Sequence, residues 1–322
     1  MQSTLADIPM ILRDRPAGIK LFFILRGSIF PRILGVLAVN IFVASVVTAL
    51  HVWHVPFGLT LTPVPFTLIG LALAIFLGFR NTAAYDRFWE GRKLWGQLVT
   101  ECRNLARECQ TLITADHPAS MDTGLQDVRV RMIFRAIAFA HNLRQLLRDS
   151  ADRDQLKTFL ADEEWKRLET PAENLNILML QMGRDVSQCL KDRRIDGPIA
   201  AAINGTLSSM VSAATGCERI KNTPIPFSYS LLLHRTAYLY CFLLPFGLVD
   251  STVFMTPIVV AIVAYTFFGL DALGDEIEEP FGMSDNDLPL DAICRMIEHD
   301  LRKAVGDPQA PSGLAPVDFR LT

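Results

Sequence analysis

What the 322-residue chain lacks excludes most soluble chemistry. Its six cysteines (Cys102, Cys109, Cys189, Cys217, Cys241 and Cys294) form no CxxC pair and no CxxC…H pattern. They read as reduced thiols, with neither disulfides nor zinc expected. There is no HExxH, no GxSxG, no P-loop and no GxGxxG. No catalytic constellation stands out, so the chain is not expected to be an enzyme, and no cofactor is implied. The net charge of −3 leaves no basic footprint for nucleic acid. No strand alternation and no internal repeat is found, which leaves an all-α architecture.

Charge is also missing from long stretches, and that absence is the informative one. Half of the residues are hydrophobic and the mean hydropathy is +0.27. Residues 33–50, ILGVLAVNIFVASVVTAL, carry no charge and nearly fill a hydrocarbon core of roughly 30 Å as a helix. Residues 55–79 and 251–270 are likewise uncharged, and 227–249 is apolar apart from His234 and Arg235. Four spans are expected, at 33–52, 63–82, 228–249 and 252–271. The last two would form a tight hairpin around Gly247–Ser251, the third being interrupted by Pro245 and Gly247. The loops 53–62 and 250–251 contain no Lys or Arg. Lys20, Arg26, Arg32, Arg80, Arg87, Arg92, Lys93, Arg219 and Lys221 flank the opposite ends. This asymmetry places both termini in the cytosol. With Asp7, Arg13 and Arg15 so early, the N-terminus does not read as a cleavable signal. The run IKLFFILRG is expected to lie along the interface as an anchoring helix.

The expected division is therefore an interfacial segment 1–32, membrane helices at 33–82, a cytosolic helical domain at 83–225, two further membrane helices at 226–271, and a cytosolic acidic turn, helix and flexible tail at 272–322. Trp95, Leu98, Cys102, Leu105, Cys109 and Leu112 recur at helical a/d spacing, which predicts that the second span continues beyond the membrane. ADHPASMDTG breaks that pattern. The next helix carries Ile133, Ile137, Ala140 and Leu147 on one face, with Arg and Gln opposite. GPIAAAINGTLSSMVSAATG, uncharged in a charged region, is either a tightly packed interior helix or the lining of a narrow conduit.

In the second span Leu71, Ile75 and Phe79 are spaced i, i+4, i+8 and share one face. That stripe either faces lipid or core, or forms a hydrophobic constriction if several copies surround an axis. His51 and His54 read as interfacial anchors rather than metal ligands. The acidic run GDEIEEPFGMSDNDLPLD reads as a solvated turn ahead of a cation site, and it does not match EF-hand spacing.

The segments RGSIFPRILGVL, PVPFTLIGLALAIFLGFRNTAAYDRFWEGRKLWGQLV and TPIPFSYSLLLHRTAYLYCFLLPFGLVD, with the DEIEEPFG turn, resemble the bestrophin family in its bacterial branch. The resemblance spans roughly residues 15–290. It implies a homopentameric ion channel in the bacterial inner membrane, surrounded by lipid, with one central pore, four membrane helices per subunit and a cytosolic helical barrel. Leu71, Ile75 and Phe79 fall at the family's three-ring neck. A second constriction maps near Ile199, with Cys189 as competitor. Animal members bind calcium with an acidic cluster after the PFG turn; here that stretch is Ser284, Asp285, Asn286 and Asp287. Only Asp287 matches a ligand position, as a vestigial metal site, so calcium is not expected to be required. Animal members also carry two neck phenylalanines where this chain has only Phe79. Phenylalanine edges are partially positive, and losing one leans the expectation to monovalent cations such as sodium, with a chloride or other anion channel of the same fold as the alternative. Asp86 reads as an ion-paired surface position that could instead attract cations. The rival from another class is a non-conducting membrane scaffold binding a partner through its cytosolic helices, with a membrane enzyme third.

Overall fold

The computed structural model describes residues 10–11, 27–53, 62–312 and 320–321. The expected interfacial helix IKLFFILRG and His54 lie outside the described residues, apart from Gly27. The described chain is built from helices that divide into two units. An apolar unit holds 13–88 and 224–280, and a polar unit holds 1–12, 89–223 and 281–322.

In the apolar unit, α1 (Phe30–Val52) opens with Pro31 in its first turn, where a missing N–H costs nothing. Helix α2 (Pro63–Thr111) begins in this unit and runs for 49 residues without a break, so the expected continuation beyond the second span is present. The remaining helices are α8 (Phe227–Thr252) and α9 (Thr256–Glu278). Three stretches are long and apolar enough to cross a membrane: α1, α2, and α8 with α9 taken together. Ile33, Leu37, Leu73, Leu77, Leu233, Ala237, Cys241, Phe267 and Phe268 form the main core, and Ala44, Phe66, Leu244 and Val260 a second cluster.

The expected hairpin around Gly247–Ser251 is not where the chain turns. Helix α8 continues through Pro245 and Gly247 to Thr252, and the turn is a 3-10 segment at Val253–Met255. Val253 adopts φ 41°, unusual for a β-branched residue. Gly247 serves packing instead of turning: a Cβ there would overlap the Phe66 ring. The acidic run is also displaced from its expected role. Helix α9 extends to Glu278, so Asp275, Glu276 and Glu278 belong to a helix and not to a loop.

In the polar unit, α3 (Val128–Leu147) is the central element, packed by α6 (Pro171–Lys191), α7 (Gly197–Asn222) and α10 (Leu290–Ala304). The short helices α4 (Arg153–Lys157) and α5 (Asp162–Trp165) connect α3 to α6. The polar face of α3 is not solvated. Arg129, Arg135 and Gln145 are all buried, Arg129 pairing with Asp127, Arg135 with Glu164 and Asp185, and Arg144 and Arg148 with Asp291. Burying a charge is tolerated because each is matched in this way. A capping box between Thr170 and Glu173 starts α6, whose stripe of Leu175, Leu178, Met182, Val186 and Cys189 is buried. One departure from an all-helical chain is a two-residue antiparallel pair in this unit, Met10 opposite Leu321 and Ile11 opposite Arg320.

Candidate functional site

Within the apolar unit, α2 packs by one narrow stripe. Phe66, Leu73, Leu77, Arg80 and Ala84 are buried, while the residues between them are largely exposed. Of the three apolar stretches, α2 is the least buried. Leu71, Ile75 and Phe79 lie on the uncovered face, at 62%, 48% and 64% exposure. Exposing three large apolar groups in line on a helix that is already apolar leaves a surface that something else must cover. Phe79 meets Phe76 edge-on, with ring centroids 6.5 Å apart. Asp86 is seven residues beyond Phe79, two helical turns along the same face. It is exposed and has no ion pair within 4 Å among the described residues, contrary to its reading as an ion-paired position.

Behind the exposed face stands a charged cluster that sequence reasoning missed. Arg80, adjacent to Phe79, is 2% exposed. Its Nη1 donates to Asp271 Oδ1 at 2.9 Å, and its Nη2 pairs with Asp275 and lies 3.5 Å from Glu278 Oε2. His234 Nδ1 on α8 lies 2.6 Å from the other Asp271 oxygen. Asn81 Nδ2 donates to the Leu270 carbonyl at 3.0 Å, and Arg87 Nε to the Glu278 carbonyl at 3.0 Å. Two signals were present in the sequence. Asp271, Asp275 and Glu278 are spaced i, i+4, i+7, which puts three acids on one helical face, and Arg80 is the first charge after the second apolar run.

In the polar unit, Ile199 is half-buried in the first turn of α7, whose start is capped by the Asp196 carboxylate accepting from the Ile199 N–H at 3.0 Å. Cys189 is 2% exposed within the stripe of α6. Burial pushes its thiol above the usual value. Ile199 and Cys189 therefore occupy different settings, one partly open and one enclosed. The small-residue helix α7 has two faces: Ile203, Leu207, Met210, Ala213 and Cys217 are buried, whereas Asn204, Gly205, Ser208, Ser212 and Thr215 are exposed. Glu108 is enclosed beside it, its carboxylate raised by burial and accepting from the Thr206 hydroxyl at 3.0 Å.

Asp287 is buried in the loop after the PFG turn. Its Oδ2 accepts from the Ser284 N–H at 2.6 Å and its own N–H donates to the Ser284 carbonyl at 3.0 Å, so the carboxylate closes the loop on itself. Among the described residues, no three His, Cys, Asp or Glu side chains gather in a group that could hold a metal ion. His51 Nδ1 lies 3.5 Å from Asp250, pairing the ends of α1 and α8.

Residues 10–303 match the family of bacterial and fungal bestrophin proteins. A voltage-dependent anion channel-forming protein of Salmonella typhi is 39% identical over 308 residues, covering 95% of this chain and 98% of that protein. Another, from Mesorhizobium japonicum, is 41% identical over 313 residues and covers 96% of each. Among solved structures, a bacterial bestrophin homologue from Klebsiella pneumoniae superposes with a TM-score of 0.78 at 35% identity, over 85% of this chain and 98% of that one.

Proposed function

The chain belongs to the bacterial and fungal bestrophin family, and from that premise we propose that it is a homopentameric channel for small monovalent ions in the bacterial inner membrane. Each subunit crosses four times, α8 and α9 being separate spans, with both termini in the cytosol. The carrying observation is the uncovered line of Leu71, Ile75 and Phe79 on α2. One subunit cannot enclose a pathway with one exposed helix face, but five copies around an axis would turn the line into three stacked apolar rings. Such a neck excludes water when narrow and conducts when it widens. Ile199 would supply the second ring, being partly open where Cys189 is enclosed.

The neck composition and the exposed Asp86 two turns from Phe79 favour cations. A carboxylate on a pore-facing stripe, repeated by symmetry, raises the local cation concentration. The anion reading has its own support, since relatives covering nearly the whole chain are named anion channel-forming proteins. The test is the purified protein in planar bilayers under a salt gradient. Phe79→Ala should raise conductance if Phe79 closes the neck, and no current from a well-folded pentamer, even in that variant, would favour the scaffold reading.

A further inference from the structure

Phe79 and Arg80 are neighbours in sequence yet point in directions about 100° apart on the helix. One is exposed and the other is among the most enclosed side chains of the chain. Among the described residues, the side-chain hydrogen bonds of Arg80 all go to α9. Asp271 takes Nη1 through both its carboxylate, at 2.9 Å, and its backbone carbonyl, at 3.4 Å, while Asp275 and Glu278 share Nη2. Those acids in turn hold the other helices. Asp275 pairs with Arg32 of α1 at 3.5 Å, Asp271 with His234 of α8 at 2.6 Å, and Glu278 accepts from the Ile225 N–H, just before α8, at 3.0 Å. Gly274 packs directly against this cluster: a Cβ there would lie 2.5 Å from Asn81 Oδ1 and 3.4 Å from Arg80 Nη1.

Beside Arg80, Asn81 and Arg87 donate to the Leu270 and Glu278 carbonyls of α9, and the buried remainder of the α2 seam in this unit is an apolar stripe of Phe66, Leu73, Leu77 and Ala84. Apolar contacts are non-directional and tolerate small rotations. A guanidinium fork on three carboxylates does not, because its donors lie in a fixed plane. A buried charge cluster is a costly way to join two helices when stability alone is needed, and its best-attested use is to fix register. Resting on the neck reading above, we propose that Arg80 is the positioning residue of the neck: its pairing with Asp271 and Asp275 sets the rotation of α2, and so fixes how Leu71, Ile75 and Phe79 meet across the axis.

The test is a double-mutant cycle on the full-length protein in planar bilayers, with single-channel conductance as readout, using wild type, Phe79→Ala, Arg80→Met, Arg80→Lys and the Phe79→Ala/Arg80→Met pair. Arg80→Met should raise conductance by about threefold or more, and in the Phe79→Ala background it should add almost nothing, since the ring it positions is gone. Arg80→Lys should fall between, keeping the charge but losing the fork. A purely structural arginine would not depend on Phe79. Equal factors in both backgrounds, or unchanged conductance in Arg80→Met, would overturn the proposal. Should Arg80→Met not fold, Asp275→Asn, at a half-exposed partner of the same guanidinium, carries the same cycle and is read in the same way. Absence of current in every variant, Phe79→Ala included, would defeat the channel reading itself and the positioning role with it. Current in Phe79→Ala without coupling to position 80 defeats only the latter.

Discussion

At the scale of single residues, burial decides reactivity. All six cysteines are enclosed. In the polar unit, burial pushes the thiols of Cys217 and Cys294 up to about 12 and those of Cys102 and Cys109 higher still. The thiolate is the reactive form, so the native protein should resist maleimide at pH 7 and label fully only once denatured, as intact-mass spectrometry would show. His141 behaves differently. It stacks on Phe159 with centroids 5.3 Å apart, and burial lowers its pKa from 6.5 despite Glu298 at 3.5 Å. Glu298 is itself held low, its burial outweighed by the neighbouring His141 ring and by Arg302, whose Nη1 donates to Oε1 at 2.9 Å. The folded chain thus keeps His141 neutral while the unfolded chain takes up a proton. The associated stability is whole above the ordinary histidine value and drains as pH falls below it, by about 1.4 kcal/mol for each unit of depression. Thermal unfolding at pH 7.5 and 5.5 should show that loss, and His141→Phe should reduce it. An unchanged pH dependence in the variant would contradict the assignment.

At the scale of elements, the long apolar runs and the a/d spacing through Leu105 and Cys109 were enough to read α2 as one helix, because hydrophobic periodicity reports which face is covered. The end of α8 was not legible. Pro245 and Gly247 carry the local signature of a turn, but Phe66 fills the space that the missing Gly247 side chain leaves, and packing overrides that signature. Gly247→Val should therefore destabilise the protein by roughly 1–3 kcal/mol through overpacking, seen as a lower melting temperature. A turn at this point would tolerate the change. Nor was the acid face of α9 legible as a partner for Arg80. Its spacing is visible in the sequence, but pairing across 191 to 198 positions is settled only by the fold. The neck stripe was legible as a face, and its role still rests on family resemblance, because one chain's sequence does not state how many copies surround it.

At the scale of the whole molecule, the proposed five copies would make the neck composition an electrostatic setting. Each ring would repeat its residue, so a small local preference would be multiplied. Ile75→Phe should move the reversal potential towards the anion equilibrium value, since aromatic edges add partial positive charge. Asp86→Asn should move it the same way, by removing the ring of carboxylates that the proposed pentamer would form. Reversal potentials unaffected by both would place selectivity elsewhere in the chain.

The most direct measurement is the reversal potential of the purified wild-type protein in a planar bilayer with a tenfold salt gradient. A clear displacement from zero, towards the cation side by the present account, would establish selective conduction. A folded pentamer that passes no current, with Phe79→Ala equally silent, would contradict it.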